Sequence, residues 1–402
     1  MSGPLDGIRV LDLGTRLAAP FCAGQLGEMG AEVIKIEQPD GGDMMRTIGP
    51  FVTNGDGDHA TEYSLYWSVE GRGRKSVTLD LRRPEAQAIL RTLGASSDVL
   101  VENFRPGTLE RWNLGPDDLD PKLVIVRISV FGQDGPYRER PGLDRLGIAY
   151  GGLLTLTGYP DEPPVRPGLS ISDYLTGLFA AQAATAALYE RDARGGRGQV
   201  VDAPLYGSIL RINEWTLAAY DQLGTVRSRN GNRMENSAPI NNYSTADGAV
   251  ICIVAGADAN FRRLCAAMDR PDLLRDPRFA TNARRAEHAD DIDAEVAGWA
   301  RSLPAAEVER RCLEAGVPVA PILDAAGIFA DPHIAAREDL VIVDDPVLGP
   351  VRQQAPFPRL SNQPHVAPSG APRLGEHTRS VLGELCDLSE DELDRLAVSG
   401  II

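Results

Sequence analysis

The feature that most constrains this chain is the way its first 130 residues alternate between two hydrophobic periods. Residues 8–13 read Ile-Arg-Val-Leu-Asp-Leu, an apolar strand pattern. Residues 20–30 read as a helix, with Pro20 at its start and Gly30 at its end. A second strand follows at 32–37 (Glu-Val-Ile-Lys-Ile-Glu). The series continues with strand 76–81, helix 84–94, strand 98–102, a short helix from Pro106 and strand 123–130. Strands and helices in strict turn imply a parallel sheet covered by helices on both faces. The expected fold is α/β: a large domain around a doubly wound, mostly parallel, Rossmann-like sheet.

Further along, an Ala- and Leu-rich helix is expected at 174–189, a Gly-rich turn at 194–198, a strand at 199–203 and a helix at 205–223. The pattern then changes. Residues 227–236 are polar, with Asn230-Gly231-Asn232 marking a loop. Residues 240–254 read as a hairpin around Asp247-Gly248, and helical patterns follow at 259–268, 289–301 and 304–315. This segment reads as a smaller α+β domain. Pro and Gly become frequent from about 324, and 353–373 looks extended. Helix signals return at 376–386 and at Ser389, whose Glu392 completes a capping box. The expected plan is a large domain begun by 1–203, a linker at 204–230, a small domain at 231–323, a second linker at 324–373, and C-terminal helices at 374–402 that return to the large domain.

The 402 residues carry a formal charge of −16. A body this acidic repels nucleic acid and anionic membrane, so neither is an expected partner. No run approaches the ~18 apolar residues of a membrane span, and the first residues lack the basic and apolar runs of a secretion signal. The five cysteines (Cys22, Cys252, Cys265, Cys312, Cys386) are scattered and unpaired in sequence, which fits a reducing, cytoplasmic setting. No two of the five histidines stand at ligand spacing, so no metal site is expected.

The familiar nucleotide motifs fail. The chain has no P-loop, and after the first strand comes Gly14-Thr15-Arg16-Leu17-Ala18-Ala19-Pro20 rather than Gly-x-Gly-x-x-Gly. It has no Gly-x-Ser-x-Gly nucleophile elbow either. Charge distribution is more informative. Residues 72–145 hold 13 Lys and Arg against 11 Asp and Glu, a basic stretch inside an acidic chain. Its clusters (Arg72, Arg74 and Lys75; Arg105 and Arg111; Arg138, Arg140 and Arg145) lie near strand ends. Guanidinium and ammonium groups gathered there suit a polyphosphate, although any one of them alone reads more readily as a solvated side chain. Asp173 precedes the long helix. Either it or Ser172 is an N-cap, or Asp173 is a carboxylate nucleophile steadied by the helix end; spacing does not choose.

An ordered series of short motifs then resembles one family. It comprises Val10-Leu11-Asp12-Leu13 with Pro20, Gly30-Ala31-Glu32-Val33-Ile34-Lys35-Ile36-Glu37, and Gly41-Gly42-Asp43. It continues through Arg74-Lys75-Ser76-Val77-Thr78-Leu79-Asp80-Leu81, Val101-Glu102-Asn103-Phe104-Arg105-Pro106-Gly107 and Gly196-Arg197-Gly198-Gln199-Val200-Val201-Asp202. It ends with Ala315-Gly316-Val317-Pro318-Val319-Ala320-Pro321 and Leu374-Gly375-Glu376-His377-Thr378. The chain resembles the family III CoA-transferases, the carnitine, bile-acid and formyl-CoA transferase group. The resemblance implies that Asp173, five residues after Gly168, is the nucleophile. It implies a CoA site of Arg16, Leu17, Ala18, Arg74, Lys75, Asn103, Phe104 and Arg111. On the residues alone, Asn103 also reads as a turn residue and Phe104 as core.

The implied activity moves CoA from an acyl-CoA thioester to a free carboxylic acid through an aspartyl intermediate. Coenzyme A is then a substrate, with no metal and no permanently bound cofactor. The implied assembly is a homodimer of interlocked, ring-shaped protomers. Two departures matter. Where some members have a run of glycines, this chain reads Ala255-Gly256-Ala257-Asp258-Ala259-Asn260, which argues against a mobile Gly lid. Related racemases have Gly-His-Asp where it has Gly142-Leu143-Asp144. Leu143 cannot exchange a proton, whereas Asp144 is a nearby carboxylate able to assist. His333, His365 and His377 read as structural. Two alternatives stand: a CoA-ester isomerase (intramolecular transfer, or less readily a racemase) and a non-catalytic acyl-CoA-binding protein.

Overall fold

The computed structural model describes residues 3–54, 61–362 and 367–402; His365 lies outside the described residues. Six strands form the main sheet: β1 (Arg9–Asp12), β2 (Glu32–Glu37), β3 (Lys75–Thr78), β4 (Val99–Glu102), β5 (Val124–Ser129) and β6 (Val200–Pro204). All pair in parallel, in the order β3-β2-β1-β4-β5-β6. This is the 3-2-1-4-5-6 order of a doubly wound sheet, and its switch point falls between β1 and β4. Nearly every residue of β2, β4 and β5 is buried, which is why these strands read as continuous Val, Ile and Leu runs.

The helices that position the site are α1 (Ala18–Glu28), α2 (Pro84–Ala95), α3 (Asp144–Tyr150), α4 (Ile171–Arg194), α5 (Leu205–Arg211), α6 (Thr378–Cys386) and α7 (Glu390–Val398). On one face, α1 and α4 meet through small residues, with Ala19, Ala23, Ala180 and Ala184 all buried. Gly177 is required there: a Cβ on it would stand 2.7 Å from the Ala18 carbonyl oxygen. On the other face, Leu90 and Leu93 of α2 share a core with Val381, Leu382 and Leu393 of α6 and α7. The capping box at Ser389 and Glu392 is present.

Several segments differ from the sequence reading. The long helix begins earlier and ends later than 174–189, closing on Gly195 in the left-handed conformation (φ 68°). The expected helix 205–223 is two helices, α5 and Thr216–Leu223, broken at Glu214 (φ 49°). The stretch taken as a linker at 204–230 therefore carries regular structure. So does 324–373, which holds the helices Ala325–Ala330 and Pro332–Ala336 and an antiparallel pair, Leu340–Asp345 with Gly349–Gln354. The polar and Gly residues read there as coil are caps and turns. Asp324 accepts from the Gly327 N–H, Asp331 from the Ile334 N–H, and Gly349 turns the strand pair at φ 76°.

The chain divides into two compact units. One comprises residues up to 153, 166–225 and 338–402 and contains the main sheet; the other comprises 154–165 and 226–337. The second unit has a three-stranded antiparallel sheet of Ile240–Ser244, Val250–Val254 and Val319–Pro321. Helices Asp258–Ala267, Ala289–Arg301 and Ala305–Ala315 cover it around a core that includes Ile251, Phe261, Ile292 and Val308. The fully buried Arg285 guanidinium donates to the carbonyls of Ala238 (2.8 Å), Phe279 (3.0 Å) and Gly256 (2.6 Å). The 255–260 stretch is thereby pinned. A Cβ on Gly256 would also collide with the Ser237 hydroxyl.

Candidate active site

A parallel sheet leaves a crevice beyond the carboxyl ends of its strands, at the point where neighbouring connections diverge to opposite faces. Here that crevice is a cleft of about 160 Å³. Thr15 to Ala18 enter it from the end of β1, Asn103 to Pro106 from the end of β4, and Ile128, Ser129 and Val130 from β5. Asp173, from the first turn of α4, completes it, with Arg138, Arg140, Gly142, Leu143 and Leu205.

Asp173 and Ser172 were candidates for the N-cap of α4, and the structure corrects that reading. The cap position is Ser170, whose side chain makes no capping bond. The open N–H groups are met from another helix instead. Asp144, at the start of α3, accepts from the Ser172 N–H (2.9 Å), the Ser172 hydroxyl (2.9 Å) and the Asp173 N–H (3.4 Å), all on Oδ1. Its Oδ2 is buried and has no hydrogen-bond partner among the described residues. Two carboxylates thus meet at one helix terminus. Burial, reinforced by the Asp144 charge and opposed by Arg16, raises Asp173 from the usual carboxylate range to about 7. At neutral pH a carboxylate of this kind is part-ionised, poorly solvated and unusually basic, properties that suit a nucleophile.

Five of the eight expected CoA-site residues, Arg16, Leu17, Ala18, Asn103 and Phe104, line this cleft beside Asp173. Asn103 is occupied: it accepts from the Thr15 N–H (2.9 Å) and donates to the Thr15 carbonyl (2.8 Å), clamping the β1 loop. Phe104 is half-buried, edge-on to Trp112 with centroids 5.3 Å apart, so it belongs to core and cleft together.

Three residues are not brought here. Arg74 is buried, donating to Asp12 (2.8 Å) and to the Pro20 carbonyl (2.6 Å). Lys75 opens β3 and pairs with Glu32 at the start of β2 (2.5 Å), toward the amino end of the sheet. Arg111 is exposed and donates to the Thr108 hydroxyl (2.9 Å). In their place the cleft presents Arg105, Arg138 and Arg140, the last lying 3.4 Å over the Tyr137 ring. The sequence carried a signal for all three: each follows a strand inside the basic stretch.

A larger cavity, about 870 Å³, lies elsewhere in the same unit, with Phe21, Glu28, Glu70, Arg72, Leu178 and Phe357 among its walls. Its charged groups have partners within the protein: Arg72 pairs with Glu28 (2.7 Å), Arg74 with Asp12 (2.8 Å), and Glu70 accepts from the Tyr174 hydroxyl (2.8 Å). Among the described residues no cluster of His, Cys, Asp and Glu is arranged to hold a metal ion. His377 accepts the Ser76 N–H (3.3 Å), and His333 is exposed on a short helix.

The fold is a doubly wound α/β sheet, and the cleft at its switch point gathers one carboxylate, Asp173, with four arginines, Arg16, Arg105, Arg138 and Arg140. The profile of CoA-transferase family III matches residues 5–378, and the chain belongs to this family. It is 44% identical over 402 residues to succinyl-CoA–D-citramalate CoA-transferase of Chloroflexus aurantiacus, covering 99% of this chain and 98% of that one. It is 41% identical over 405 residues to the beta subunit of succinyl-CoA–L-malate CoA-transferase from the same organism, again covering 99% and 98%. The crystal structure of a CAIB/BAIF family protein from Brucella suis matches with a TM-score of 0.84 at 33% identity, over 96% of this chain and 100% of that one. The protein is an enzyme that moves CoA from an acyl-CoA to a free acid, and the non-catalytic alternative falls. No helix among the described residues is long and apolar enough to cross a membrane.

Proposed function

We propose that Asp173 carries the transfer as a covalent nucleophile. The observation that supports this most is a part-buried carboxylate, held near pKa 7, in a cleft rimmed by arginines. The Asp173 oxygen attacks the thioester carbonyl; the C–S bond breaks and CoA leaves as thiolate, giving a mixed anhydride. The thiolate then attacks the aspartyl carbonyl, releasing the donor acid as a carboxylate and leaving an aspartyl–CoA thioester. The acceptor carboxylate attacks that carbonyl, forming a second anhydride and freeing thiolate. The thiolate takes the acceptor acyl group and restores Asp173. Each species is an activated acyl group, so the thioester's energy is conserved provided water stays out. No step needs a metal or a bound cofactor.

The two Chloroflexus relatives are named for succinyl-CoA and for hydroxylated dicarboxylic acids. On the strength of those names we take succinyl-CoA as donor and a short dicarboxylic acid as acceptor. Succinyl-CoA incubated with a panel of mono- and dicarboxylic acids should yield new CoA esters, read by mass spectrometry, only with the dicarboxylates. A single CoA ester incubated alone should not rearrange; an isomeric product would favour intramolecular transfer.

Arg105, Arg138 and Arg140 are assigned to the pyrophosphate end of CoA. Arg138→Glu should raise the donor KM about tenfold with kcat little changed, and added salt should weaken CoA binding. A KM within twofold of the parent would return these residues to the solvated surface.

We propose a homodimer of interlocked protomers working in the cytoplasm, a setting in which five free cysteines are stable. Support for assembly comes from the helix Thr216–Leu223, which buries none of its side chains and exposes Leu217, Tyr220 and Leu223 along one stripe. Light scattering over a dilution series should report twice 43.2 kDa throughout. A folded, active monomer would refute interlocking. Because some relatives are named as subunits, a preparation active only with a second, different chain would replace the homodimer.

A further inference from the structure

The loop that joins β1 to α1 is five residues long, and side chains hold most of the backbone of its Gly14–Arg16 stretch. The Gly14 N–H donates to Asp12 (3.0 Å), and the Gly14 carbonyl accepts from the Lys35 ammonium. Asn103 takes both the N–H and the carbonyl of Thr15. The Arg16 N–H donates to Asp43 Oδ1 (3.1 Å), which also accepts the Thr15 hydroxyl (3.4 Å) and the Met45 N–H (2.9 Å). Within this frame Arg16 has φ 66°, a left-handed conformation that residues with a Cβ rarely adopt. Such a backbone persists only where its surroundings over-determine it, and it clusters at functional sites.

Asp43 does not line the cleft. Its side chain is 1% exposed and lies behind the loop, paired with the equally buried Lys35 (2.9 Å). A buried ion pair contributes little net stability compared with apolar packing, so its use here points to fixing a geometry. The direction in which the Arg16 side chain leaves the backbone depends on φ, and that side chain reaches the cleft beside Asp173.

We propose that Asp43 is a positioning residue for CoA transfer: by holding the Arg16 backbone left-handed, it aims the guanidinium into the cleft toward Asp173. The inference rests on the reading of Asp173 as nucleophile. Its consequence is electrostatic. The charges that act on Asp173 are Asp144 from α3 and Arg16; Tyr66, from the helix Leu65–Glu70, is in its electrostatic reach, and Arg105, Arg138 and Arg140 line the same cleft. Of these, Arg16 is the cation that lowers the Asp173 pKa against burial and Asp144.

The test is a double-mutant cycle with Asp43→Ala and Arg16→Gly, since glycine takes the left-handed conformation without help. Asp43→Ala alone should lower kcat about tenfold with a smaller change in donor KM. It should also move the acid limb of the kcat/KM profile upward by about half a pH unit, as expected when a cation near a carboxylate is misplaced. Added to Arg16→Gly, the same change should cost about twofold and leave the limb where Arg16→Gly alone puts it. Equal losses in both backgrounds, or an unmoved limb, would overturn the proposal. If Asp43→Ala does not fold, Asp43→Asn is read in the same cycle: it keeps an acceptor oxygen, so the loss should be smaller and should again vanish beside Arg16→Gly. Additivity of that variant would also overturn it. Asp173→Asn separates the readings. If it turns over, the nucleophile assignment fails; if it is inert while the cycle is additive, only the role of Asp43 falls.

Discussion

Asp173→Ala is expected to lower CoA transfer by about four orders of magnitude while the protein stays folded. The size follows from the cleft, where Asp173 is the one carboxylate among the lining residues. Asp144, the nearest alternative, lies beneath Ser172 with Oδ1 committed to that residue, so it cannot reach a thioester without unravelling the start of α4. Incubation with succinyl-CoA followed by hydroxylamine should modify the peptide that contains Asp173 in the parent enzyme and no acidic peptide in the variant. Near-normal turnover of the variant would end the covalent mechanism. Stability should move the other way. A carboxyl whose folded pKa is raised from 3.8 to about 7 is harder to ionise folded than unfolded, so its charge destabilises the fold above the unfolded value, increasingly so up to about pH 7. Asp173→Asn should therefore melt at an equal or higher temperature than the parent at pH 8, and the advantage should vanish near pH 4. A lower melting point at pH 8 would show that the carboxylate is held by something other than the surroundings described.

Arg74→Met is expected to destabilise the protein by about 3–5 kcal/mol without raising the donor KM. The Arg74 side chain is 2% exposed and the Asp12 side chain 0% exposed. Removing the guanidinium leaves a buried carboxylate that keeps Lys35 at 3.4 Å and the Gly14 N–H, and it removes the side-chain donor to the Pro20 carbonyl. Breaking one side of a buried pair is costly because the remaining charge stays out of water. For a unit of this size, a fall of roughly 5–15 °C in melting temperature should result. Arg74→Lys should recover little, since one ammonium cannot serve both acceptors with the reach of a guanidinium fork. A raised donor KM in a variant that melts like the parent would restore Arg74 to the CoA site.

These two residues mark where the sequence was legible. Asp173 was singled out through its place in an ordered series of motifs and at the foot of a long Ala-rich helix. Its state was not legible, because that depends on Asp144, 29 positions away, and on Arg16 at the end of a different strand. Arg74 was read as a phosphate-binding cation of the CoA site, because Arg72, Arg74 and Lys75 stand together and the family resemblance points to them. In the fold these three diverge: Arg72 to Glu28, Arg74 inward to Asp12, and Lys75 to Glu32. Arg105, Arg138 and Arg140 were visible as basic residues near strand ends, yet nothing local ranked them above their neighbours.

The sequence by itself determined the alternation of strand and helix, the hairpin of the second unit, the capping box at Ser389 and the membership that its motifs imply. Each is set by periodicity or by partners within a few residues, and such interactions act on any conformation the chain takes. Only the tertiary structure decided which charges are buried, which helix end is capped from afar and which arginines share a cleft with Asp173. Asp12 and Arg74 are 62 positions apart, and Arg16 and Asp43 are 27. Such pairs exist only once β1 lies between β2 and β4 and the loops beyond them diverge into a crevice. Because the strength of a charge interaction depends on burial as well as distance, the chemistry of this site is a property of strand order.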